Sequence, residues 1–290
     1  MLNSGPIDKG SARRSFEQAA TGYDQVAVLQ REIADRMLER LDYVRLDPRL
    51  VLDLGAGTGY AIEALQKRYR KTRILALDFA FGMLQQARRR GSWLNRPRCV
   101  CADLESLPLA DASVDLVFSN VALQWCNDIQ QTFEECLRVL KPGGLLMFST
   151  FGPDTLRELR EAWAATDGHS HVSPFLDMHD VGDALMRARF SDPVIDAERL
   201  TVTYDQVRDL MRDLKGIGAH NATSERPRGL TGRRRLMAVE QAYEIHRRDG
   251  RLPASYEVVQ GHAWAPLQRQ VDGGVAIPVG AIRRLGLTES

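Results

Sequence analysis

The sequence predicts an α/β fold, a doubly wound parallel sheet with helices on both faces. Strand-like and helix-like segments alternate from Leu50 to Phe151, the rhythm of parallel strands joined by crossover helices. The stretch VLDLGAGTGY, Val51–Tyr60, sets three glycines at alternate positions behind the first apolar run. Past Phe151 the rhythm loosens. Two later strand-like runs enclose a charge-rich helical stretch at about residues 206–250, read as an insertion in the sheet rather than a separate domain.

In chain order, residues 1–10 are expected to be disordered. From Ser15 to Leu41 apolar residues recur at helical spacing, among them Phe16, Ala19, Tyr23, Val26, Ile33 and Met37, which predicts one or two amphipathic helices. Asp47-Pro48 closes that block. Strands are expected at Leu50–Leu54, Ile74–Asp78, Cys99–Ala102, Val114–Ser119 and Leu145–Phe151, and helices at Tyr60–Arg70, Gly82–Arg90 and Ile129–Leu140. Lys141-Pro142-Gly143-Gly144 predicts a helix stop and a tight turn. Helices follow at Asp154–Ala165 and Met178–Arg189. Alternating runs at Leu200–Tyr204 and Tyr256–His262 read as strands.

With 290 residues, 44% of them apolar and 27% charged, the chain suits one large domain or a domain with an insertion. A net charge of +1 gives no global pull toward nucleic acid or an anionic membrane. The four cysteines, Cys99, Cys101, Cys126 and Cys136, complete no zinc pattern and read as free thiols in a reducing compartment; no metal is expected. MLNSGPIDKGSARRSF lacks the apolar core of a secretory signal, and no stretch approaches a membrane span. A cytoplasmic monomer is the expectation.

The glycine turn carries the chemistry. It lets backbone approach a ligand, with free N–H groups at the helix start behind it. A dinucleotide fingerprint would need glycine at residue 60, where this chain has Tyr60. Asp53 sits two residues before Gly55. An acid there repels phosphate and can accept from an ammonium group. Asp78 ends the second strand, where a carboxylate can accept both ribose hydroxyls. Asp103 follows the third strand at the same sheet edge, placed for an adenine amino group, with the Leu104 N–H beside it. Asn120 ends the fourth strand. Gln124 and Trp125 fall where the reacting group belongs, and an aromatic face stabilises a cation beside it.

Asp53-x-Gly55-x-Gly57-x-Gly59, Asp78, Asp103 and LKPGG together resemble the class I S-adenosylmethionine-dependent methyltransferases over about residues 45–150. The resemblance implies their Rossmann-like sheet, here with N-terminal helices and a helical insertion near the C-terminal strands. It also implies S-adenosyl-L-methionine as cofactor, held by Asp53, Gly55, Ala56, Gly57, Asp78, Phe79, Met83, Asp103, Leu104 and Asn120. Residues 1–45 become a helical lid over a domain spanning 46–290, with Tyr23 and Phe16 closing on the cofactor and Gln30 adding a hydrogen bond.

A narrower resemblance runs almost the full length. FEQAATGYDQVAVLQ, DLESLPLADASVDLVFSNVALQWCND, FLDMHDVGDALMRARF, LMRDLKGIGAHNA and YEVVQGHAWAP are similar to the malonyl-acyl-carrier-protein O-methyltransferases of biotin synthesis. The implied reaction moves a methyl group onto the free carboxylate of a malonyl thioester, on acyl carrier protein or coenzyme A. DLESLPLADASVDLVFSN, LQWCND and the phrases around KGIGAHN and YEVVQGHAW are also similar to mitochondrial complex I assembly factors, which bind the cofactor or modify protein without methylating a malonyl group. A methyltransferase acting on a quinone-type precursor is a further alternative.

The residues suit carboxyl methylation. A malonyl carboxylate is ionised at neutral pH, so it needs no general base. It needs in-line placement, a dry site and a cation to hold it, though a very tight cation would favour the ground state and slow the step. Arg13, Arg14, Lys215 and His220 are the candidates for that cation, and the choice among them stays open; Lys215, His220 and Trp125 are the residues expected to position the substrate. Acyl carrier protein is acidic, so its dock should be basic. RPRGLTGRRR, residues 226–235, is the densest positive run and offers Arg226, Arg228, Arg233, Arg234 and Arg235. It is short and lacks interleaved aromatics, which speaks against nucleic acid.

Overall fold

The structure is a computed structural model that describes residues 6–91, 94–167, 171–219, 221–223 and 232–267 of the 290. Seven strands form one sheet in the order β3-β2-β1-β4-β5-β7-β6. They are β1 (Leu50–Leu54), β2 (Arg73–Asp78), β3 (Arg98–Cys101), β4 (Val114–Ser119), β5 (Leu140–Phe151), β6 (Ser191–Tyr204) and β7 (Leu252–Trp264). The first five are parallel, as the βαβ rhythm predicts. β7 runs antiparallel between β5 and β6, so the sheet is mixed rather than purely parallel.

Helices cover both faces. Successive strand residues point to opposite sides. Thus Val51, Leu116, Phe118 and Leu145 pack with Ile33 and Met37 of α3 (Val28–Arg40) and with Ile62 and Leu65 of α4 (Ile62–Arg68). Leu52, Val117, Leu146 and Phe148 pack on the other face with Phe133 and Cys136 of α6 (Ile129–Val139) and Val181 and Leu185 of α8 (Met178–Arg187). α5 (Phe81–Ala87) follows β2, and α7 (Arg157–Ala164) follows β5. The predicted insertion holds α9 (Val207–Gly216) and α10 (Arg233–Tyr243), between β6 and β7. α10 packs on α7 through the buried Val239 and Tyr243.

Two expectations are corrected. Residues 6–10 are ordered, and residues 1–5 lie outside the described residues. The Asp8 carboxylate accepts from Ser11 N at 2.9 Å and caps α1 (Lys9–Ala19), and Ile7 bridges Thr223. The block therefore holds α1, the single turn α2 (Tyr23–Val26) and α3, three helices rather than one or two. Second, Lys141–Gly144 is not a turn between elements; it lies within β5. Gly143, at φ +76°, makes the bend while its N–H and the Gly144 carbonyl pair with Ala265. Among the described residues no helix is long and apolar enough to cross a membrane.

Candidate active site

Strand order reverses between β1 and β4, and in such sheets ligands bind in the crevice beyond the strands' carboxyl ends. One cavity sits there. It is lined by every residue expected to hold the cofactor: Tyr23, Gln30, Asp53, Gly55, Ala56, Gly57, Asp78, Phe79, Met83, Asp103, Leu104 and Asn120, together with Phe16 and Trp125.

The three glycines of the turn all have positive φ but for different reasons. A Cβ on Gly55 would lie 2.3 Å from the Ala122 Cβ, and one on Gly59 would lie 2.5 Å from Ile62 Cδ1. These two glycines are fixed by packing. A Cβ on Gly57 would meet nothing within 4 Å, so this is where backbone lies open to a ligand. The Asp78 carboxylate is aimed by two backbone donors, Gly57 N at 2.9 Å and Ala80 N at 2.8 Å. Burial pushes its pKa up to about 6, and those N–H groups limit the rise. Asp53 is 3% exposed. Burial, then the neighbouring Asp78 charge, pushes it up to about 7. Its Oδ2 is buried and has no hydrogen-bond partner among the described residues. A carboxylate oxygen in that state needs a donor brought by a ligand. An orphaned acid beside an open glycine backbone fits a ligand that carries an ammonium group and no phosphate, which is what S-adenosylmethionine is.

The N-terminal helices roof this cavity through long-range polar ties. Glu17 of α1 accepts from the N–H groups of Phe81 and Gly82, both at 2.6 Å, and so caps α5. Asp24 accepts from the Thr58 hydroxyl and pairs with Arg90. The Tyr60 hydroxyl donates to Asp35. Lys9 reaches Asp103 at 2.8 and 2.6 Å and also Glu105, so Asp103 is an ion-paired acid rather than a free one. Phe16 stacks edge-on to Trp125 at 5.0 Å and tilts over Phe79 at 5.7 Å. Cys126 also lines the cavity, but burial pushes its thiol up to about 12, leaving no thiolate nucleophile at neutral pH.

A second cavity lies beside the first. Phe151, Leu159, Trp163, Phe175, Met211 and Tyr256 give it an apolar wall, with Lys215, His171, Ser173 and Asn221 as polar members. Gln30 and Trp125 line both cavities and stand where the two meet. The loop between them starts at Val121, whose φ of +51° is strained for a β-branched residue. Ser149 holds it there, its carbonyl and hydroxyl both accepting from Val121 N.

Among the substrate candidates, Lys215 is the one lysine or arginine of the second cavity among the described residues. Arg13 and Arg14 are exposed on α1 and line neither cavity. His220, Arg226 and Arg228 lie outside the described residues. Arg233, Arg234 and Arg235 open α10 and are exposed. Arg235 also reaches Asp167 at 3.5 Å, and Asp167 in turn bonds the His171 ring, which stacks on Trp163 at 3.6 Å. Lys9, Glu17, Asp24 and His171 were not legible as site residues. Their partners lie far away in sequence, with no spacing signal.

Residues 52–148 match the methyltransferase domain family. The chain is 56% identical to the malonyl-[acyl-carrier protein] O-methyltransferase of Methylovorus sp. over 94% of its own length and 93% of the relative's. It is 55% identical to the protein of the same name in Halorhodospira halophila, over 96% of both. Among solved structures, a chain from the Haloferax volcanii complex with the Trm112 methyltransferase activator superposes with a TM-score of 0.57 at 22% identity. That match covers 90% of this chain and 100% of that one, a likeness of fold.

Proposed function

The chain belongs to the malonyl-[acyl-carrier protein] O-methyltransferases, and on that premise we propose how its two cavities carry out the transfer. The enzyme moves a methyl group from S-adenosylmethionine to the free carboxylate of malonyl-acyl carrier protein, giving the methyl ester used in biotin synthesis. The observation that carries the proposed arrangement is the shared wall. An acid-lined cradle and an apolar chamber meet at Gln30 and Trp125.

The cofactor supplies a methyl group made electrophilic by its sulfonium. Asp53 faces the ammonium group, Asp78 holds the ribose hydroxyls, and Asp103 with the Leu104 N–H faces adenine. The Phe16 and Trp125 rings exclude water, which raises the worth of every electrostatic contact inside. The malonyl arm runs through the apolar chamber. Lys215, at the last turn of α9, attracts the incoming anion, and the α10 arginines meet the carrier. The enzyme acts as a monomer in the cytoplasm without nucleic acid or membrane; its near-balanced charge supports the part of that reading that concerns nucleic acid.

Labelled S-adenosylmethionine and malonyl-acyl carrier protein should yield a base-labile methyl ester. A carrier that stays unlabelled would sink this function. The dock has its own test. Arg233→Glu with Arg234→Glu is expected to lower kcat/KM for the carrier substrate by roughly tenfold at low salt. Cofactor affinity and use of malonyl-coenzyme A should be unchanged. Arg235 is left in place because it pairs with Asp167. Equal losses on both acceptors would make the patch structural.

A further inference from the structure

We propose that the Gln30 side-chain amide, a neutral donor, holds the malonyl carboxylate during transfer, and that no cation takes that place; this rests on the function proposed above. The nucleophilic oxygen must pass from the apolar chamber to the cofactor cradle, so the group that holds it belongs to both cavities. Among the described residues only Gln30 and Trp125 line both, and no lysine or arginine does. Lys215 lines the chamber alone. Lys9 and Arg31 line the cradle alone, engaged with Asp103 and Glu105 and with the Asp24 carbonyl.

Three carboxamides sit near the junction, and two are committed. Asn120 donates from Nδ2 to the Gln30 carbonyl at 2.9 Å and accepts the Ser149 hydroxyl at 2.9 Å. Gln124 donates to the Val121 carbonyl at 2.8 Å and accepts from Thr150 at 3.4 Å. The Gln30 amide has no side-chain partner among the described residues, while its backbone is pinned by Asn120. The side chain is thus free at its tip and fixed at its root, on α3 over the opening. The Trp125 indole N–H likewise has no partner among the described residues and can serve as a second neutral donor.

The chemistry favours such a clamp. The carboxylate oxygen forms the O–CH3 bond as the methyl–sulfur bond breaks. The electron pair of that bond stays on sulfur, and no proton moves. Negative charge on the oxygen falls along this path, so a cation bonded to it would stabilise the ground state more than the transition state. A neutral N–H orients the oxygen with little of that cost.

The test uses the full chain with Gln30→Ala and Gln30→Glu. Methylation of malonyl-acyl carrier protein is followed at saturating cofactor, and cofactor affinity is measured by calorimetry. Both variants should bind cofactor within about threefold of the native enzyme, since the amide, expected from the sequence to bond the cofactor, is assigned here to the acceptor instead. Gln30→Ala should lose roughly 30-fold in kcat/KM for the carrier substrate. Gln30→Glu should lose more at pH 8 and recover about tenfold by pH 5.5, as its carboxyl protonates and becomes a donor while malonyl stays ionised. The Gln30→Ala profile should run parallel to the native one. Weaker cofactor binding with unchanged kcat, or a Gln30→Glu profile parallel to that of Gln30→Ala, would overturn the assignment. A native enzyme inactive on malonyl-acyl carrier protein overturns the functional reading as well. An active native enzyme with indifferent Gln30 variants overturns this inference alone.

Discussion

Asp53→Asn is expected to make the ligand-free protein more stable at neutral pH while nearly abolishing methyl transfer. Asp53 is buried at the end of β1 with one oxygen unpartnered, and its pKa is raised from 3.8 to about 7. The folded-state value lies above the unfolded one, so the folded protein holds an extra proton between those limits. Stability therefore falls as pH rises through that window, and it stays lower above it. Removing the charge should restore about 3 kcal/mol at pH 7.5, seen as a melting temperature higher by about 5 °C. The same change removes the acceptor for the cofactor's ammonium group. Native affinity for S-adenosylmethionine should accordingly weaken about fivefold from pH 7 to pH 6 as Asp53 protonates, and that dependence should vanish in the variant. Melting curves and calorimetry across pH check both. A variant that melts lower than native, or one that keeps native affinity and its pH dependence, would contradict the role given to Asp53.

Asp78→Ala should weaken S-adenosylmethionine binding by roughly two to three orders of magnitude. Two hydrogen bonds from ribose hydroxyls to a buried, charged acceptor are each worth about 1.5–3 kcal/mol, and the carboxylate is already aimed by Gly57 N and Ala80 N. The fold should survive, because losing a buried charge offsets the partner lost by the buried Ala80 N, and water can replace the acceptor at Gly57 N, which lines the cavity. A loss under tenfold, with native melting behaviour, would remove Asp78 from the cofactor site.

The cofactor half of the site was legible because it is local. A strand, a turn that needs positive φ, and an acid at the next strand end leave their marks within a few residues of one another. All the residues predicted from that pattern line one cavity. The roof was not legible, since ties such as Lys9 to Asp103 and Glu17 to Phe81 join residues 94 and 64 positions apart. The start of α1 was missed because its signal is the single capping Asp8, ahead of a polar stretch. Lys141–Gly144 was misread since proline and glycine mark turns and bulges alike. The acceptor chamber is assembled from α7, α9, β5 and β7, along with the segment at His171–Phe175. Its apolar members look in sequence like any helix or strand core. None of Phe151, Leu159, Trp163, Phe175, Met211 and Tyr256 was expected at the site from the sequence.

Malonyl carboxylate and cofactor should meet at the opening between the two cavities. The most direct measurement is a crystal structure of the enzyme with S-adenosylhomocysteine and malonyl-acyl carrier protein. A carboxylate oxygen should lie at hydrogen-bond distance from the Gln30 amide and in line with the sulfur, with the thioester arm passing the Phe151, Met211 and Tyr256 wall toward α9 and α10. A malonyl group that reaches the sulfur by another route, with Gln30 turned to the cofactor and the apolar chamber left to solvent, would contradict this placement.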